Sequence, residues 1–149
     1  MKIQCPCGSG RRYAVCCGAI HSGAREARTA EALMRSRYSA YVLRLEAYLL
    51  ASWHPATRPS ALDLENDNAQ WLGLTLRGVK AGGPGDGSGE VSFTARYRVD
   101  RERHQMAETS RFMRQGGRWM YLDGSVSPGT LQPATGAGPQ NASAPVPPR

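Results

Sequence analysis

All four cysteines of this chain lie near its N-terminus, in a C-x-C-x8-C-C pattern formed by Cys5, Cys7, Cys16 and Cys17. Zinc takes four ligands in a closed tetrahedral structural site, and thiolates are preferred ligands there. Two short-range pairs joined by a loop supply that number, so the pattern predicts one structural Zn²⁺. Four protein ligands leave no coordination position for water, which argues against a zinc-hydroxide mechanism.

Other uses of these residues are less favoured. A disulfide between Cys5 and Cys7, or between the adjacent Cys16 and Cys17, would be strained, and bridges across the loop would constrain only about ten residues. Redox chemistry and unligated thiols remain alternatives to zinc. His21 could replace one cysteine as a ligand, but a lone histidine beside four thiolates is more often a neighbour of the site or solvated.

The chain is basic, with a formal net charge of +7 over 149 residues. Four thiolates and one Zn²⁺ together carry about −2, so the zinc-bound chain has a net charge of about +5. This charge favours acidic partners or nucleic acid, but the arginines are not interleaved with aromatic residues, so a solvated basic surface is favoured over nucleic-acid binding. No apolar segment reaches the roughly 20 residues that a membrane span needs, and no secretory signal is evident. We therefore expect a cytoplasmic protein without membrane insertion.

Residues 29–53 have the periodicity of a helical hairpin or one broken helix. Thr29 can cap its N-terminus with Glu31 in the first turn, and Pro55 and Pro59 prevent its continuation. The apolar residues recur at steps of three and four, and the arginines are expected mostly off this stripe. The stripe consists of Met34, Tyr38, Tyr41, Leu45 and either Tyr48 or Leu49, and the arginines are Arg35, Arg37 and Arg44.

After Pro59 the hydrophobic period changes to two, which indicates strands with one buried face. The inward residues are expected to be Leu72, Leu74 and Leu76 in one strand and Val91, Phe93, Ala95, Tyr97 and Val99 in the next. Further strands are expected near 104–114 and 118–123. Helices followed by an antiparallel meander predict an α+β domain. From Ser125 onward the chain is rich in Pro, Gly, Ala and Ser and is expected to form a disordered tail.

The run CPCGSGRRYAVCCG resembles the SEC-C motif, the zinc-binding element at the C-terminus of the SecA translocation ATPase, in which the ligand at the position of Cys17 is often histidine. Residues 21–59 resemble the YchJ family of bacterial proteins. That resemblance implies a SEC-C-like zinc module at 1–22 and a cone domain similar to nuclear transport factor 2 (cystatin-like) at 28–124, in which helices pack on a curved antiparallel sheet. The tail predicted from composition occupies 125–149. Many family members carry a second SEC-C motif, but no cysteine follows Cys17 here, so that motif is absent from this sequence.

Cone folds can enclose a pocket, although fold alone does not establish one. The pocket candidates are Trp53, His54, Arg58, Glu108 and Asp123. A catalytic interpretation would pair His54 with Glu108 or Asp123. The favoured structural interpretation has His54 bonded to backbone or to a nearby side chain with Trp53 packed beside it, Arg58 bracing the next loop and Glu108 on the solvated face. No catalytic residue is assigned, and nothing in the sequence requires an enzyme.

Two hypotheses follow. In the first, the zinc module is a rigid docking surface for a protein partner, and the resemblance to the SecA tail implies a partner in the export or ribosome-associated machinery. In the second, the cone pocket binds or hydrolyses a small molecule. Titratable side chains converging in an apolar cavity would favour the second hypothesis.

Overall fold

The computed structural model describes residues 3–64 and 67–126, in which short helices come first and a strand meander follows. The elements are a 3-10 helix at Tyr13–Val15, α1 at Cys17–His21, α2 at Ala30–Leu43, α3 at Glu46–Ala51, β1 at Gln70–Ala81, β2 at Ser88–Val99, β3 at Glu102–Gln115 and β4 at Arg118–Val126. The strands form an antiparallel sheet in the order β1-β2-β3-β4. The predicted α+β class is confirmed.

Local interactions and backbone conformation determine where helix α2 begins and ends. The hydroxyl oxygen of Thr29 accepts a 3.0 Å hydrogen bond from the backbone N–H of Ala32, which confirms the predicted N-cap. The helix stops because Arg44 adopts a left-handed conformation with φ 60°. After this break the chain starts α3, which folds back against α2 through the contacts of Ser36 with Tyr48 and of Arg37 with Leu49, so residues 29–53 form two packed helices.

The core lies between α2 and one face of the sheet. Successive strand residues point to opposite faces, so alternate residues of β2 and β3 meet the helix. The residues of this core include Leu33, Met34 and Tyr38 from α2, Val91, Phe93 and Ala95 from β2, Met106 and Phe112 from β3, and Trp119 and Tyr121 from β4. The expected burial of Val91, Phe93 and Ala95 is confirmed.

Strand β1 departs from the expected alternation. Leu72 was expected to point inward, but it is 41% exposed, whereas Trp71 packs against the core. The cause is a shift in the pairing register between Trp71 and Gly73, which leaves Leu72 as an extra residue opposite β2. A further shift separates Leu76 from Gly78. Such bulges bend and twist a strand, which curves this edge of the sheet.

Helix α2 is buried on more sides than its apolar stripe indicates. Ser36, Arg37, Ser39 and Ala40 are all at most 1% exposed. Arg37, which the sequence places off the apolar stripe, is therefore buried as well. The stripe describes only the side that faces the sheet, whereas α3 and the cysteine module cover other sides of the same helix.

Strand β4 extends to Val126, so Ser125 and Val126 belong to the sheet rather than to the predicted tail. The rest of that prediction, residues 127–149, lies outside the described residues. Within the described part of the chain, no helix has the length and apolar character needed to cross a membrane.

Candidate functional site

The four cysteine sulfurs form a single compact cluster. The Sγ atoms of Cys5, Cys7, Cys16 and Cys17 all lie within 4.8 Å of one another, and those of Cys7 and Cys16 are 3.7 Å apart. A tetrahedral zinc site with Zn–S bonds of about 2.3 Å has sulfurs about 3.8 Å apart. All four side chains are buried. The spacing, number and chemistry of the donors therefore fit one divalent metal ion.

The loop between the two cysteine pairs is shaped by local backbone interactions. Gly8 and Gly10 have φ of 82° and 85°, values that glycine adopts without steric penalty. The N–H of Cys5 donates to the carbonyl of Arg11 at 2.8 Å, which closes the loop. The chain then forms the 3-10 helix, and the N–H of Cys16 donates to the carbonyl of Tyr13 at 3.0 Å. These hydrogen bonds bring the second cysteine pair back next to the first pair.

Hydrogen bonding among the sulfurs shifts their pKa values in opposite directions. A hydrogen bond from Cys17 is the largest influence on the pKa of Cys7 and lowers it to about 4, although burial opposes this shift. The same interaction raises the pKa of Cys17, and burial raises that of Cys16. The groups around Cys7 thus favour its thiolate form. A divalent metal would favour the thiolate at all four positions.

Polar groups around the cluster connect it to α2. The hydroxyl oxygen of Ser39 lies 3.5 Å from the Sγ of Cys5. Arg35 donates a 2.7 Å hydrogen bond to the carbonyl of Cys7. On the outer side, the hydroxyl of Ser9 lies 3.2 Å from the Sγ of Cys16. The helix therefore supports the cysteine module directly.

His21 bridges the cysteine module and α2 rather than joining the sulfur cluster. Its Nε2 lies 2.8 Å from the carbonyl oxygen of Ser36, which can only accept, so Nε2 carries the proton. Its Nδ1 then accepts from the hydroxyl of Tyr13 at 2.7 Å. Burial lowers the pKa of His21, which favours this neutral form. Sequence reasoning left the role of His21 open because both of its partners depend on the fold.

An open cleft lies beside the cysteine module. It has a volume of about 400 Å³ and runs between the module and the first turns of α2. Its lining includes Arg11, Arg25 and Arg35, with Glu31 as an acidic neighbour. Arg25 also lines an adjacent cleft of about 430 Å³. The surface next to the candidate metal centre is consequently concave and basic.

Three of the predicted pocket residues lie together after α3, where they hold the chain against β4. The backbone N–H of His54 donates to the carbonyl of Tyr121 at 2.8 Å. The imidazole Nδ1 of His54 accepts from the backbone N–H of Ala56 at 3.0 Å. Trp53 packs edge-on against Tyr121 with ring centroids 5.0 Å apart. Arg58 donates twice to the carbonyl of Trp53. These contacts are those that the structural interpretation of His54 and Arg58 describes.

The two predicted pocket carboxylates have other neighbours. Asp123 forms an ion pair with Arg111 at 2.6 Å. Glu108 is only 2% exposed and accepts a 3.1 Å hydrogen bond from Ser110, so its expected position on the solvated face is wrong. The alternation of β3 explains the difference, because Met106, Glu108 and Ser110 all point to the core side.

Arg37 is a buried charged residue that the sequence analysis did not select. It donates to the carbonyl of Leu49 at 2.8 Å and to the hydroxyl of Ser52 at 2.7 Å. Its guanidinium lies 4.9 Å from the ring centroid of Trp53 and 4.6 Å from that of Tyr121. Burial lowers the pKa of Arg37, and nearby phenols and the carboxylate of Glu108 oppose that shift. Its position on the helix gave no signal, because the partners that surround it come from distant segments.

Comparisons with known proteins agree with this architecture. The family model described as "YchJ, middle NTF2-like domain" matches residues 29–124, and the SEC-C motif model matches residues 1–19. A UPF0225 protein of Chromobacterium violaceum is 52% identical over 129 residues, covering 85% of this chain and 95% of that protein. A UPF0225 protein of Xanthomonas oryzae is 54% identical over 121 residues, covering 80% of this chain and 92% of that protein.

Two solved structures are also similar. The solution structure of a SEC-C motif-containing protein from Rhodopseudomonas palustris has a TM-score of 0.74 and 33% identity, covering 84% of this chain and 99% of that one. The crystal structure of a SEC-C motif-containing protein from Psychrobacter arcticus has a TM-score of 0.69 and 26% identity, covering 88% and 84%. The chain belongs to the YchJ family, with a SEC-C motif preceding its NTF2-like domain.

Proposed function

We propose that Cys5, Cys7, Cys16 and Cys17 bind one structural Zn²⁺, and that the module they form is a docking surface for a protein partner. The observation that carries this proposal is the closed, buried sulfur cluster next to a basic cleft. Four protein donors complete a tetrahedral shell, so the metal has a structural role and the surface around it is what a partner meets.

Zinc is the metal that the donor set favours. Tetrahedral sites with four thiolates hold zinc or iron–sulfur centres, and the 3.7 Å separation of the Cys7 and Cys16 sulfurs matches one mononuclear ion. Protein purified without chelators should contain about one zinc per chain by elemental analysis. Protein without bound metal, with all four thiols freely titratable, would refute the zinc assignment.

The surface of the module has features of a protein-binding site. Ile3 is 69% exposed and Val15 is 42% exposed, and both lie on the module. Arg11 donates to the carbonyl of Val15 at 3.2 Å, and Arg25 donates to it at 3.3 Å. Exposed apolar side chains with arginines beside them are typical of interaction sites, where arginine is enriched.

The charge of the cleft indicates the chemistry of the partner. Arg11, Arg25 and Arg35 outnumber Glu31 in its lining, so an acidic segment fits it. By the resemblance of the module to the SecA tail, the export machinery and the ribosome are the first assemblies to test. The small-molecule alternative has less support, because Trp53, one of the predicted pocket residues, packs against Arg37 and Tyr121.

The docking proposal can be tested by site-specific photo-crosslinking in cells. A photoreactive residue replaces Val15 on the module or, as a control, Lys80, an exposed residue of strand β1. We expect a discrete protein adduct from position 15 and not from position 80. The adduct should disappear in the Cys16→Ser/Cys17→Ser variant. The same adducts from both positions, or adducts that persist in the double variant, would contradict the proposal.

A further inference from the structure

The face of the sheet that points away from α2 carries a group of arginines. Residues with odd numbers in β2, such as Phe93 and Ala95, belong to the core, so Arg96 and Arg98 point to the opposite face. Arg103 of β3 pairs with Arg98 across the strands and shares its face. Arg77 of β1 reaches the same face, where it contacts Thr94. We call Arg77, Arg96, Arg98 and Arg103 the arginine face.

Neutral groups hold three of these guanidinium groups in place. Arg77 donates to the hydroxyl of Thr94 at 3.0 Å, and Arg96 donates to the hydroxyl of Thr75 at 3.0 Å. Arg98 donates to the side-chain oxygen of Gln70. A hydroxyl or amide oxygen orders a guanidinium without neutralising it, so the positive charge of the face is retained.

The strand pairing adds repulsion rather than compensation. Arg98 lies directly opposite Arg103, and like charges at such positions are destabilising. Arg96 is opposite Gly73 on one side and Gln105 on the other, neither of which is acidic. Among the described residues, the ion pairs of arginine involve Arg35, Arg111 and Arg118 instead. An anionic ligand would relieve the repulsion that the sheet itself leaves in place.

We propose that the arginine face binds the sugar-phosphate backbone of a nucleic acid. The planar fork of arginine matches phosphate oxygens in a bidentate manner. The Cα atoms of Arg96 and Arg98, two residues apart on one strand, are about 6.8 Å apart, so the two cations can contact separate phosphates of one backbone. Hydroxyls such as that of Thr75 are also common phosphate contacts.

The residues of the arginine face predict that it binds nucleic acid with little preference for the base sequence. Trp71, Phe93 and Tyr97 of β1 and β2 pack on the core side, as do Phe112 of β3 and Tyr121 of β4. The arginine face consequently lacks an aromatic platform within the described strands, and base stacking does not contribute. Sequence reasoning disfavoured nucleic acid because the arginines are not interleaved with aromatic residues, which is a sign of base stacking rather than of backbone binding. The fold gathers four of them on one surface.

The test uses the full-length protein and a fluorescent single-stranded RNA of mixed sequence, about 20 nucleotides long. The test variant is Arg96→Gln/Arg98→Gln/Arg103→Gln. The control variant, Arg12→Gln/Arg28→Gln/Arg118→Gln, removes the same charge from exposed arginines elsewhere. Binding is measured by anisotropy over a range of salt concentrations, and melting curves verify that each variant is folded.

We expect the test variant to bind about 10-fold more weakly or worse at low salt. Each lost phosphate contact reduces the slope of log K against log salt by about 0.7, so the slope should fall by about 2. The control variant should retain most of the wild-type affinity and most of the wild-type salt slope. Arg96→Lys/Arg98→Lys/Arg103→Lys should bind between the wild type and the glutamine variant, because lysine keeps the charge and loses the fork.

Three results would overturn the inference. The first is wild-type protein that does not bind the RNA at low salt. The second is an equal loss of binding in the control variant, which would mean that net charge alone is responsible. The third is binding to anionic phospholipid vesicles without binding to RNA, which would assign the face to a membrane surface. None of these results bears on the zinc module, which is tested separately by metal content and crosslinking.

Discussion

The hydroxyl of Tyr13 lies 2.7 Å from the Nδ1 atom of His21, and it donates a hydrogen bond to that nitrogen. Through its other nitrogen, His21 donates to the carbonyl of Ser36 in α2. The sequence predicts a module at 1–22 that is separate from the domain at 28–124. In the structure, the last residue of α1 joins the cysteine loop to the central helix of that domain.

The first prediction concerns the coupling between Tyr13 and His21. Tyr13→Phe removes one hydrogen bond and should lower the free energy of unfolding by about 1 kcal/mol, whereas His21→Ala should lower it by about 2 to 3 kcal/mol because it leaves two partners without their bond. The double variant should be less destabilised than the sum, with a coupling energy of about 1 kcal/mol. Urea unfolding of the four proteins measures these values. Strictly additive effects would mean that the two side chains do not interact.

The second prediction is the pH dependence that His21 imparts. Its folded-state pKa is lowered by burial from the ordinary value of 6.5, so the unfolded chain binds more protons in this range. This contribution to stability is present above pH 6.5 and is lost as pH falls below it. The wild type should therefore lose more stability than His21→Gln between about pH 7.5 and about pH 5.5. Parallel stability profiles for the two proteins would contradict the prediction.

The third prediction concerns metal removal. The separate module predicted from the sequence would confine the effect of chelation to the first twenty or so residues. The contacts of Cys5 with Ser39 and of Cys7 with Arg35 instead connect the site to α2. We therefore expect chelation to lower the melting temperature of the whole domain by about 10 °C or more, because metal binding contributes directly to folding.

The control for chelation is Cys16→Ser/Cys17→Ser, which should already melt at the lower temperature and should not respond further to chelator. Hydrogen exchange shows which segments respond. If only the amides before α2 lose protection and the melting temperature is unchanged, the division into an independent module and body is correct.

The sequence was informative wherever the cause of a structure is local. The cysteine spacing indicated the sulfur cluster, Thr29 indicated the start of α2, and the alternation around Phe93 indicated the buried face of β2. These features depend on residues a few positions apart. The exposure of Leu72 depends instead on how β1 pairs with β2, because the bulge at Leu72 places Trp71 before it and Leu74 after it on the core side.

Prediction of the candidate site from the sequence was limited in the same way. The four ligands could be identified from spacing, but the surroundings of Arg37 and Glu108 could not. Arg37 is buried because α3, Trp53 and Tyr121 meet around it, and these segments are far apart in the chain. Charged residues are almost never fully buried without a partner, so a general preference for exposure gave the wrong result for both residues.

The last prediction tests the packing around Glu108. Gly124 lies beside it on β4, and a Cβ atom at position 124 would come within 2.0 Å of the Glu108 Oε2 atom. The carboxylate cannot move aside easily, because it is buried and bonded to Ser110. Gly124→Ala should therefore lower the free energy of unfolding by about 1 to 3 kcal/mol, the range for overpacking a core. Glu108→Ala should cost about 1 to 3 kcal/mol, because it leaves the buried hydroxyl of Ser110 without its acceptor. In the Glu108→Ala background the obstacle is gone, so Gly124→Ala should cost much less than it does in the wild type. Urea unfolding of the four proteins measures the difference, and an equal cost of Gly124→Ala in both backgrounds would show that Glu108 does not restrict position 124.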